Sequence, residues 1–151
     1  MRTLKVSALL LAAWLAVFSV AVSAKALPRD DAAIAQQFVR VLKLVNERQL
    51  PIEMDFATTW VGVQGDYHSH EMAYYFVVED YASEVYWEAL ESADEGEALR
   101  DMLMEQICTE TKQTATDMLA YFNIQKITFN YRDEQGRHLF TMRPDCLLRE
   151  S

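Results

Sequence analysis

Apolar side chains recur at Ile34, Phe38, Val41, Leu42 and Val45, the spacing that lines one side of a helix. Arg40, Lys43, Glu47 and Arg48 fall mostly off that stripe. Asp30 or Asp31 can cap the start, its carboxylate accepting from backbone N–H groups that have no partner inside the helix. Pro51 follows soon after the end. The pattern predicts a helix over 31–48. The period then changes to two. Residues 56–63 are β-branched and aromatic, and in 72–78 Tyr74, Phe76 and Val78 alternate with Ala73, Tyr75 and Val77. Both read as strands. Gly65, Asp66, Ser69 and their neighbours suit an antiparallel turn between them. Apolar residues on both faces of the second strand suggest a central strand covered on both sides, or one with an aromatic outer face.

Helical spacing returns after residue 83, with Ser83 as a candidate cap ahead of Tyr86, Trp87 and Leu90. Residues 92–96 interrupt it. Leu99, Met102, Leu103 and Ile107 then form a second stripe, with Cys108 at its end. A short helix over 114–122 carries Met118, Leu119 and Phe122, and Asn123 tolerates the left-handed backbone of a helix exit. Ile127, Phe129 and Tyr131 alternate with Thr128 and Asn130, a turn over 133–136 follows, and 138–142 returns as the partner strand. The order α-β-β-α-α-β-β predicts an α+β fold: one antiparallel sheet of about four strands with helices packed on one face.

The N-terminus changes the picture. Arg2 and Lys5 precede a nearly unbroken apolar run over 6–22, which ends in the small residues Ser23 and Ala24. A positive start, an apolar middle and a small-residue exit are the parts of a secretory signal, here over 1–24. The same run approaches the roughly 20 residues of a spanning helix, so an uncleaved anchor is the competing reading. Cleavage leaves a single domain over 25–151, a normal domain size. It also removes Arg2 and Lys5, taking the formal charge from −9 to −11. Such a surface repels phosphate backbones and anionic lipids, which argues against nucleic-acid partners and against stable membrane attachment after cleavage. Cys108 and Cys146 are the only cysteines, and two cysteines in an exported chain pair as a structural disulfide. Closing that loop is worth about 3–4 kcal/mol in the chain-entropy picture. The spacing is unlike the Cys-x-x-Cys of a redox pair.

From Leu44 to Cys146 the chain resembles a broad group of small, uncharacterised exported bacterial proteins. The resemblance is carried by Val45-Asn46, Leu50-Pro51, Asp55, Thr58, Tyr74-Tyr75-Phe76, Cys108, Phe129-Asn130-Tyr131-Arg132-Asp133, Gly136 and Cys146. It implies an α+β fold and the disulfide, and it implies no activity. One departure is Asn123, where the pattern has a glycine; asparagine adopts the same backbone conformation.

Three groups of side chains are candidates for function. Asp66, His68 and His70 share one face if the segment is extended, and zinc or copper accepts such ligands; the competing reading is an exposed polar turn. The many carboxylates, Glu79, Asp80, Glu88, Glu91, Glu95 and Glu97 among them, could supply a hydrolase pair only through a geometry that sequence does not show. His138 lies in the last hairpin, and no strained nucleophile motif accompanies it. Tyr67, Tyr74, Tyr75, Tyr81, Tyr86 and Trp87 crowd the middle third, either as core or as a binding surface. No motif calls for a cofactor. The sequence therefore points to a periplasmic or secreted binding or accessory protein, without enzymatic activity, that meets a protein partner of the envelope through a sheet face or edge. A metal-handling protein using Asp66, His68 and His70 and a small hydrolase are the alternatives.

Overall fold

The computed structural model describes residues 30–110 and 112–148, and the expected signal segment over 1–24 lies outside them. Helix α1 spans Asp31–Leu44 and ends in a wider turn at Val45–Gln49. Asp30 is its cap, accepting from the backbone N–H groups of Ala32 and Ala33 at 3.1 and 3.4 Å. The strands are β1 (Ile52–Glu53), β2 (Thr58–Asp66), β3 (Glu71–Val78), β4 (Lys126–Asp133) and β5 (His138–Met142). Between β3 and β4 come α2 (Asp80–Glu91), α3 (Ala93–Glu110) and α4 (Lys112–Tyr121). A short 3-10 turn, Asp145–Leu147, follows β5. The fold is α+β, with the strands in the order β1-β2-β3-β4-β5.

Two features differ from the sequence expectation. The sheet has five strands, because β1 pairs Ile52 and Glu53 with Trp60 and Thr59; two residues are too few for alternation to show. The sheet is also mixed. β3 and β4 run parallel over eight register pairs, from Glu71 beside Lys126 to Val78 beside Asp133. The three helices carry the chain back to the end of the sheet where β3 began. There the backbone N–H groups of Gln125 and Lys126 donate to the carbonyl of His70 at 2.8 and 3.1 Å, so β4 starts beside the start of β3. A parallel pair needs such a long crossover, and a helical connection leaves either direction open.

Alternation sets the faces. Met72, Tyr74, Phe76, Val78, Ile127, Phe129 and Tyr131 are buried, while Ala73, Tyr75, Val77, Thr128 and Asn130 between them are half-buried. All four helices contribute to the core cluster on the first face. A row of rings crosses it, Trp60–Tyr74–Phe129–Phe76–Tyr131–Phe140, with centroids 4.6–5.5 Å apart. Ala73, Tyr75 and Val77 on the other face do not join this cluster.

Local chemistry fixes the junctions. Asn46 accepts from the Val63 N–H at 3.0 Å and donates to the Val63 carbonyl at 2.7 Å, tying the end of α1 to β2. The cap position of α2 is Glu79 rather than Ser83; the Ser83 hydroxyl instead donates to the Asp80 carbonyl inside the first turn, at 3.0 Å. The expected interruption falls at Ser92, between α2 and α3. Asn123 takes the left-handed conformation, with φ of 55°. Cys108 and Cys146 are joined as a disulfide with Cα atoms 5.9 Å apart, pinning the end of α3 to the turn after β5.

Candidate functional site

Helix α3 does not seal the sheet beneath it. Gly96 is buried where the start of α3 meets the last turn of α2; a side chain there would come 3.4 Å from the Ala89 carbonyl. The disulfide holds the other end. Between these two fixed points Leu103 and Ile107 are only partly buried, and a slot of about 90 Å³ opens between them and the sheet. Its floor is Phe76, Phe129 and Tyr131, and Gln106 and Glu110 line the helix side.

The third wall is the loop between β1 and β2. The backbone N–H groups of Met54 and Asp55 both donate to the Thr58 carbonyl, at 2.8 and 3.3 Å, and the Asp55 carboxylate accepts from the Ala57 N–H at 2.7 Å. This tight loop sets Met54, Asp55 and Thr58 against the slot. Outside it, the Phe56 ring stacks on Tyr81 at 6.2 Å, and the Tyr81 hydroxyl donates to the Phe56 carbonyl at 2.7 Å. Phe56 and Tyr81 remain 61% and 52% exposed.

Two hydroxyl-bearing residues that line the slot stand out. Thr58 is 7% exposed and Tyr131 is 6% exposed, yet among the described residues neither hydroxyl has a hydrogen-bond partner. Neither oxygen is cut off from solvent, unlike Nδ1 of His70, so water can reach both. Burial, together with the nearby Tyr86 and Asp55, pushes the Tyr131 phenol well above its ordinary pKa, so it stays protonated and can both donate and accept. None of the residues lining the slot is basic.

The residues expected from sequence lie elsewhere. Asp66 closes the β2–β3 turn by accepting from the His68 and Ser69 N–H groups at 2.8 and 3.5 Å. His68 and His70 face an open hollow with Asp31, Tyr67 and Asn123, which Asp66 does not line. His70 has φ of 59°, and its Nδ1 is buried without a partner among the described residues. No three His, Cys, Asp or Glu side chains of the described residues gather where one ion could be held. His138 is exposed at the start of β5, its Nε2 3.4 Å from the Thr141 hydroxyl. Of the aromatic group, Tyr74 is in the core, Tyr67, Tyr86 and Trp87 pack against it, Tyr75 lies on the open sheet face and Tyr81 is exposed. Thr58 and Tyr131 were readable only as strand residues. The available signal was a hydroxyl at positions whose alternation points into the core.

No family model matches the chain, and no curated protein matches it. Among solved structures it is similar to a candidate secreted protein of Pseudomonas aeruginosa, with 13% identity and a TM-score of 0.49, covering 77% of this chain and 95% of that one. A likeness at this level says nothing of activity. No helix of the described residues is long and apolar enough to cross a membrane.

Proposed function

We propose that this is an exported, non-enzymatic binding or accessory protein of the bacterial envelope, and that its ligand site is the slot beneath α3. The N-terminal pattern over 1–24 supports export, and a disulfide fits an oxidising compartment. The observation that carries the binding reading is an accessible slot lined by two largely buried residues, Thr58 and Tyr131, whose hydroxyls reach solvent and have no partner among the described residues. Water serves them when the slot is empty, and a ligand of matching polarity replaces that water. The open sheet face offers half-buried side chains but no comparable interior. Native mass spectrometry of protein purified from its own envelope fraction tests the proposal. The mature chain should begin after residue 24, alkylate two thiols only after reduction, and carry an added mass that an Ile107→Trp variant lacks. Ligand retained equally by that variant places binding elsewhere.

One observation favours a second reading. Asp55 and Glu110 both line the slot, as two carboxylates of a small hydrolase would. Turnover of small ester substrates that Glu110→Gln abolishes would establish that activity in place of simple binding.

A further inference from the structure

The chemistry of the slot specifies more than its presence. Its lining carries acceptors on Asp55, Glu110, Gln106, Thr58 and Tyr131, set among Met54, Leu103, Ile107 and aromatic rings. At about 90 Å³ it is far below the roughly 300 Å³ and more that drug-sized ligands occupy, which excludes nucleotides and sugars. A primary ammonium group carries three donors, no acceptor and a positive charge. It matches a lining with two carboxylate residues, Asp55 and Glu110, and two hydroxyl residues, Thr58 and Tyr131. A carboxylate or phosphate ligand would meet Asp55 and Glu110 with no basic residue lining the slot.

Taking the slot as the binding site proposed above, we infer that it binds a primary alkylammonium group with a short apolar stem. That group is offered by a free small amine and by the end of a lysine side chain. Phe56 and Tyr81, stacked and exposed beside Asp55, give a lysine-bearing peptide further surface that a free amine does not use.

The test is a set of NMR titrations of the intact, oxidised protein with butylammonium chloride, with butan-1-ol as the uncharged analogue, and with a short acetylated and amidated peptide carrying one lysine. Butylammonium should saturate and shift resonances of Leu103, Ile107 and Phe129, with butan-1-ol much weaker. Asp55→Asn keeps the acceptor oxygen for the Ala57 N–H and should weaken the ammonium about tenfold or more; Tyr131→Phe should weaken it severalfold. Peptide binding tighter than butylammonium, and weakened by Phe56→Ala, identifies a lysine as the source; the reverse order identifies a free amine. Equal binding of butan-1-ol, or affinity unchanged in Asp55→Asn, overturns the inference while leaving the slot a binding site. If none of the three ligands perturbs the slot, the inference fails together with its assignment as the binding site.

Discussion

Under α1 and α4 the core is closed: Phe38, 1% exposed, packs among Trp60, Val63, Met72, Met118 and Phe122, and the void left there is about 10 Å³. Under α3, on the same face of the same sheet, the gap is about 90 Å³ and is lined by Thr58 and Tyr131, whose hydroxyls have no partner among the described residues. The difference begins in the helices. Ile34 and Phe38 of α1 are buried, whereas the only buried residue of α3 is Gly96. One half is packed as protein interiors are. The other leaves an accessible gap with a few polar groups among mostly apolar ones.

The largest expected effects test the closed half. Phe38→Ala should cost about 3–5 kcal/mol, because the ring contacts Phe122 edge-on and lies over Gly65. Leu103→Ala should cost about 1 kcal/mol, since its side chain is only partly buried beside an existing gap. Urea unfolding measures both, and equal losses would erase the distinction between the halves. Next is the disulfide. Replacing Cys108 and Cys146 together with serine should cost up to about 4 kcal/mol for a separation of 38 residues, with hydrogen exchange rising first in α3 rather than α1.

A smaller effect depends on pH. Asp133 has a fully buried side chain; burial pushes its carboxyl up, but the Arg137 backbone N–H at 2.8 Å and guanidinium at 2.6 Å outweigh this and hold it below the ordinary range. Its stabilising contribution is therefore present above the unfolded pKa, about 3.9, and is lost as pH falls through the lower folded value. The Tm gap between the wild type and Asp133→Asn should be widest near neutral pH and narrow below about pH 4. A gap that stays constant would show that the ion pair does not set it. The smallest change is Tyr131→Phe, which removes a hydroxyl that no described residue bonds; thermal unfolding should find stability within about 1 kcal/mol of wild type. A larger loss would mean that the hydroxyl supports the fold.

Helices, breaks and pairings were legible in both halves. The stripe from Ile34 to Val45, the alternation in β3 and β4, the break near Ser92 and the pairing of Cys108 with Cys146 all follow from local spacing or composition. The direction of β4 was not legible, because alternation looks the same in either direction and the helical crossover permits both. The slot was hidden for a related reason. Thr58 and Tyr131 are ordinary strand residues until register places them together, and Asp55 joins them only through a loop. The turn with Asp66, His68 and His70 drew attention by composition, but Asp66 is engaged with the backbone of its own turn.

Asn46 has a consequence for how copies of this protein meet. Beyond its short pairing with β1, β2 presents backbone groups that another chain's strand could join. The Asn46 amide occupies both groups of Val63, standing in for one residue of a neighbouring strand. A single side chain thus blocks the rung on which an intermolecular ladder would be built, and sheet-to-sheet aggregation along this edge is checked at the close of α1.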